Sequence, residues 1–111
     1  MKKLVSIKDI KDFINNNTLS LLYFSSKLEK CSVCHMLLPK IQDNLKNYSN
    51  LQIATVDASE VKEVAGEFYV FSLPLIIFYV EGNEVLRDGR FIRMNNLKEV
   101  IDKHYNLIFN P

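Results

Sequence analysis

The chain has 111 residues, 48% hydrophobic and 24% charged, with a formal net charge of +1. That length suits one domain, residues 1–111, around one core, and so small a charge offers no electrostatic case for nucleic acid or an acidic partner. The longest apolar run, Leu73 to Val80, is far too short to span a bilayer, so no membrane is expected.

Met1-Lys2-Lys3 has the charge of a signal-peptide start, but Lys8, Asp9, Lys11 and Asp12 break the apolar stretch that would have to follow. A cytoplasmic protein is expected. Lys3 to Ser6 reads as a short edge strand. Ile7, Ile10, Phe13 and Ile14 recur at helical spacing and give a first helix ending near Asn15-Asn16-Asn17. Leu19 to Ser25 is a continuous apolar run that reads as a buried parallel strand. After a polar loop, Val33, Leu37, Leu38, Ile41, Leu45 and Tyr48 mark one face of a helix starting near Ser32. Leu51 to Val56 alternates as a strand, and Glu60 to Tyr69 carries a helical stripe of Val61, Val64, Ala65 and Phe68. Leu75 to Val80 is a strand, Glu81-Gly82-Asn83 a hairpin turn, and Glu84 to Arg87 the return strand. Asn95 to Tyr105 closes with a helix. The order βαβαβαββα predicts an α/β fold, a mostly parallel sheet covered on both faces, made mixed by the hairpin.

Cys31 and Cys34 are the only cysteines, and they stand three apart where a strand and loop give way to a helix. Free N–H groups and the dipole at a helix start favour a thiolate, the attacking species in disulfide exchange. The spacing brings two Cα atoms within disulfide reach, so one sulfur can attack a partner and the other can resolve the mixed disulfide. A permanent disulfide is not expected in the cytoplasm, where such a pair more often serves redox chemistry or metal binding. Three alternatives stand beside this. The cysteines are incidental or buried. Cys31-Ser32-Val33-Cys34-His35 is letter for letter the c-type haem attachment pattern, with Met36 or Met94 as axial candidates. Or Cys31, Cys34, His35 and His104 hold zinc, although adjacent Cys34 and His35 point apart on a helix.

With this order and motif, the chain resembles the thioredoxin family over nearly its whole length. Cys31-Ser32-Val33-Cys34 stands where the family has Cys-Gly-Pro-Cys. Pro39, five residues after the second cysteine, matches a mid-helix proline, and Ser72-Leu73-Pro74-Leu75 matches the segment holding the family's cis-proline. Gly82 and Gly89 also fall in order. The resemblance implies the thioredoxin fold, a three-layer αβα arrangement, and a thiol–disulfide oxidoreductase with Cys31 as nucleophile and Cys34 as resolving thiol. It implies a cis Leu73-Pro74 bond whose Leu73 backbone pairs with an extended substrate. Lys30, Ser32, Val33, Leu73, Pro74 and Leu75 would line the substrate groove, with Gly89 and Arg90 as further candidates. Lys30 would favour the Cys31 thiolate by charge attraction. No cofactor is implied. The partners would be a protein disulfide and, as electron donor, a reductant protein or small thiol, acting on a monomer.

The chain departs from the family in four places. It has no tryptophan, and Lys30 stands where the family usually has one, so a flat apolar contact surface is lost. Ser32-Val33 replaces Gly-Pro, which changes the tuning of the thiolate. The strand Leu21 to Ser25 lacks the family's buried aspartate, leaving proton transfer at Cys34 to water or Tyr23. The loop before Cys31 is about two residues longer than the family's. These departures give a second reading: a binding module with a dedicated partner, in which the cysteines act as a slow switch. The richness in Asn, Lys and Ile suggests an AT-rich bacterial genome.

Overall fold

The computed structural model describes residues 1–27, 32–89 and 91–110, with the backbone alone for residues 32–35. The elements run β1 (Lys2–Leu4), α1 (Ile7–Asn16), β2 (Leu19–Ser25), α2 (Ser32–Leu45), β3 (Leu51–Asp57), α3 (Val64–Glu67), β4 (Leu75–Val80), β5 (Asn83–Asp88) and α4 (Met94–Phe109). They build a five-stranded sheet in the order β1-β3-β2-β4-β5. β1, β3 and β2 are mutually parallel, while β4 runs antiparallel to both β2 and β5. The mixed sheet matches the expected order, with β2 parallel to one neighbour only.

β2 is the centre of the molecule. Leu19 through Phe24 are all buried, because this strand has a neighbour on each edge and helices on each face. Alternation sends its side chains into two cores. Leu22 and Phe24 join Ile10, Phe13 and Ile14 of α1, with Val56 and Ile77. Leu19, Leu21 and Tyr23 join Ile41 and Leu45 of α2 and Leu97 and Ile101 of α4. Burying one such side chain contributes about 1.5–3 kcal/mol, so these two layers are the main source of stability.

Several boundaries differ from expectation, each for a local reason. β1 ends at Leu4 because Ser6 is already the N-cap of α1, its Oγ accepting the Asp9 N–H at 3.0 Å. The helix expected over residues 60–69 shrinks to Val64–Glu67. Here Asp57 holds a turn: its Oδ1 accepts the Ser59 N–H at 2.9 Å, and its carbonyl accepts the N–H groups of Glu60 and Val61, each at 3.0 Å. Tyr69 (φ 54°) lies in the left-handed region and closes the far end. Val61 and Val64 are both buried, yet only Val64 is helical, so the stripe recorded burial and not one continuous helix.

The hairpin turn has two residues, Glu81 and Gly82, both with positive φ as the tight primed turns require, and Asn83 already pairs with Val80. A bulge leaves Val85 without a partner between the pairs Phe78–Leu86 and Tyr79–Glu84, and β5 extends to Asp88. α4 continues four residues past Tyr105 because the apolar face continues through Ile108 and Phe109; the Tyr105 and Phe109 rings pack 4.9 Å apart.

Candidate active site

The carboxyl ends of β2 and β3, the amino end of α2 and the start of β4 meet at one end of the sheet. β2 ends at Ser25, in register with Asp57 at the end of β3, and Phe24 is in register with Leu75 at the start of β4. Ser32, Val33 and Cys34 form the first turn of α2, the end that carries unsatisfied N–H groups and the positive pole of the helix dipole. Cys31, Lys30 and Arg90 lie outside the described residues. α2 continues through Pro39 to Leu45.

Leu73-Pro74 is a cis peptide, as the resemblance implied. Pro74 is buried and Leu73 half-buried. No described backbone group bonds the N–H or C=O of residues 71–73, which lie between the Val70 N–H, bonded to the Val64 carbonyl, and the first paired residue of β4. A Cβ built on Gly89 would stand 3.8 Å from the Pro74 carbonyl oxygen, so the end of β5 lies against the cis bond. The structure therefore brings Cys34, Leu73, Pro74 and Gly89 to the same end of the fold. Leu75 needs correction as a groove-lining side chain. It is only 7% exposed and belongs to the α1-side core, because strand alternation points it inward.

Two groups beneath this surface bear on proton chemistry. Tyr23 faces the α2-side core, and burial pushes its hydroxyl pKa up to about 12, so it stays protonated at neutral pH. Asp57, which the sequence reading did not single out, is only 5% exposed. Burial works to raise its pKa, but hydrogen bonds from the Ser59 hydroxyl and N–H, with the approach of the Lys27 N–H and ammonium, outweigh it and hold the pKa below the usual carboxylate value. Its Oδ2 is buried with no hydrogen-bond partner among the described residues. Asp followed two positions on by Ser, at the end of a strand, was the available signal for this turn.

Exposed apolar side chains were also missed. Met36 on α2, Tyr69, Phe71 and Phe91 are all more than half exposed. They break the helical and strand periodicities, which was the signal that they belong to no core.

His104, weighed as a zinc ligand, packs edge-on against Phe78 at 6.2 Å. Its neighbours Asp102 and Tyr105 bond Tyr48, Ser49 and Asn50, just past the carboxyl end of α2. A 14-residue helix spans about 20 Å, so His104 lies far from the first turn that holds Cys34, and the proposed four-ligand set is drawn apart.

Residues 3–103 match the family model described as Thioredoxin. The chain is 34% identical over 107 residues to the thioredoxin-like protein YdfQ of Bacillus subtilis, covering 96% of this chain and 94% of that one. It is 27% identical over 104 residues to a thioredoxin of Chlamydia pneumoniae, covering 94% and 99%. Among solved structures, the thioredoxin of Fasciola hepatica superposes with a TM-score of 0.79 at 27% identity, covering 94% of this chain and 99% of that one. A mutant thioredoxin from Halobacterium salinarum superposes with a TM-score of 0.82 at 20% identity, covering 96% and 92%. Its sequence, its mixed five-stranded sheet and its cis-proline just before β4 together place this chain in the thioredoxin family, whose general activity is thiol–disulfide exchange.

Proposed function

We propose that the protein reduces protein disulfides through a mixed disulfide at Cys31 that Cys34 resolves. The observation that carries this reading is the convergence, at one end of the sheet, of the first turn of α2 with the backbone of residues 71–73, which no described backbone group bonds, at the cis Leu73-Pro74 bond. A disulfide-bearing segment laid along residues 71–73 would pair with the Leu73 backbone in the manner of an added strand, and in this reading its sulfur would be the one that Cys31 attacks.

In the first step the Cys31 thiolate forms a bond to one substrate sulfur, and the substrate S–S bond breaks. The departing thiolate takes a proton from water. Cys34 then loses its proton and attacks the Cys31 sulfur, releasing the second substrate thiol and leaving a Cys31–Cys34 disulfide. Two electrons pass to the substrate. A reductant protein or small thiol returns them, and no bound cofactor takes part. We read the protein as a cytoplasmic monomer; no helix among the described residues is long and apolar enough to cross a membrane. Lys30, Ser32 and Val33 complete the groove in this reading.

A second reading, partner binding with slow switching, draws on one observation: the buried face of β2 beneath α2 carries Tyr23, held neutral, in place of a carboxylate. Turnover of a disulfide-bonded model protein separates the two. Cys31→Ser should abolish turnover, and Cys34→Ser should accumulate a mixed disulfide with the substrate. Full turnover by Cys31→Ser would overturn the assignment of the nucleophile. Absence of turnover in the wild type, with partner binding intact in Cys31→Ser, would favour the second reading.

A further inference from the structure

Beside the cis-proline segment, on the side away from α2, lies a cleft of about 290 Å³. Val64 and Val70, both buried, form its floor with Ala58 and Ala65; Phe71 and Leu73 stand along it. The Phe71 ring is 76% exposed and meets the exposed Tyr69 ring edge-on, with centroids 6.4 Å apart. The backbone that carries Tyr69 is pinned from β5. The Arg87 guanidinium donates to the carbonyls of Phe68 at 2.8 Å and Tyr69 at 2.9 Å, and Glu84 anchors that guanidinium in turn. The Phe68 N–H bonds the Val64 carbonyl at 2.9 Å.

Among the described residues the charges around the cleft are paired except at Lys62 and its neighbour Glu63. Glu60 pairs with Lys3 and Lys27, and Glu67 pairs with Lys11. Lys62 is the one charged residue lining the cleft, and it has no ion-pair partner among the described residues. Neighbouring Glu63 does not line it. The result is an apolar floor with an exposed aromatic wall and an unpaired ammonium at the rim.

We infer that this cleft selects protein segments in which a large apolar side chain adjoins an acidic residue: the apolar group lies against Phe71 over Val64 and Val70, and the carboxylate pairs with Lys62. The inference rests on the reading of residues 71–73 as the edge that takes a protein substrate, and Leu73 is common to that edge and to the cleft. The volume has room for one large apolar side chain.

The test uses reduced, full-length protein and three labelled, cysteine-free peptides of equal length: Phe flanked by Glu, Phe flanked by Lys, and a Gly/Ser control. Fluorescence anisotropy reads binding with no disulfide chemistry, so its failure is distinguishable from a failure of turnover. The Glu-flanked peptide should bind about fivefold more tightly than the Lys-flanked one, the scale set by gaining against opposing one exposed charge pair. Lys62→Glu should reverse that order. Phe71→Ser should weaken binding of both Phe peptides by about fivefold, the scale of losing part of one buried aromatic contact. Equal affinity for all three peptides, or an unchanged order in Lys62→Glu, overturns the inference. Concentration-dependent dimers in sedimentation that Phe71→Ser abolishes, without peptide binding, would assign the face to a second copy of the chain and overturn it as well. Preferential binding without turnover of a disulfide protein would leave the cleft standing and remove the redox reading.

Discussion

Arg87 links β5 to the segment that leads into the cis bond, and replacing it tests how that segment is held. Arg87→Met keeps most of the apolar stem and removes the guanidinium. The Phe68 and Tyr69 carbonyls then lose donors at 2.8 and 2.9 Å, and Glu84 loses contacts at 2.9 and 3.2 Å. These losses are unequal. Glu84 and Tyr69 are exposed and return to water at little cost, whereas Phe68 is half-buried and its carbonyl is less readily rehydrated. A hydrogen bond to a charged donor is worth about 1.5–3 kcal/mol, so the net loss should be about 2 kcal/mol. At a urea m-value of roughly 1–2 kcal/mol/M, the unfolding midpoint should fall by about 1–2 M. Arg87→Lys should recover only part of this, because an ammonium cannot fork to both carbonyls. With the segment loosened, KM for a protein disulfide should rise more than kcat falls. An unchanged urea midpoint in Arg87→Met, or full rescue by lysine, would refute the argument.

Other predictions concern parts of the fold that act independently. The pKa of Asp57 is depressed in the folded state, so its contribution to stability is present above the unfolded carboxylate pKa of about 3.9 and is lost as pH falls through the folded value. Asp57→Asn should therefore flatten the acid side of a stability–pH curve measured by urea unfolding, and an unchanged acid limb would show that Asp57 is not a source of that dependence. Ile77→Ala, at a fully buried central position, should cost about 2–5 kcal/mol, read from the same unfolding curves; a loss under about 1 kcal/mol would mean that the core closes over the gap. Ser6→Ala removes the cap on the Asp9 N–H and should cost about 1 kcal/mol, with Ser6→Asp restoring most of it.

Much of this protein was legible in its sequence because its signals were local. The apolar run from Leu19 to Phe24 marks a central strand, since only a strand covered on both faces can bury every side chain. Cys31 and Cys34 three apart, ahead of a helical pattern, marked the candidate cysteines, while the choice of disulfide exchange over metal or haem attachment came from the resemblance. Pro39 and Pro74 supplied the family resemblance. The segment Glu60 to Tyr69 misled because burial of Val61 and Val64 imitates a helical stripe, while the turn at Asp57 depends on side-chain hydrogen bonds that periodicity does not encode.

What tertiary structure alone decided is what lies beside what. Sequence determined the strands, most of the helices and the candidate cysteines, because each follows from the conformational preference and apolar pattern of adjacent residues. It did not determine that Ser25 and Asp57 end side by side, that Arg87 holds the carbonyls of Phe68 and Tyr69, or that His104 lies far from Cys34. Those relations join residues far apart in the chain. They exist only once the strands choose neighbours and register, and that choice is made by burial of both sheet faces together and not by any local signal.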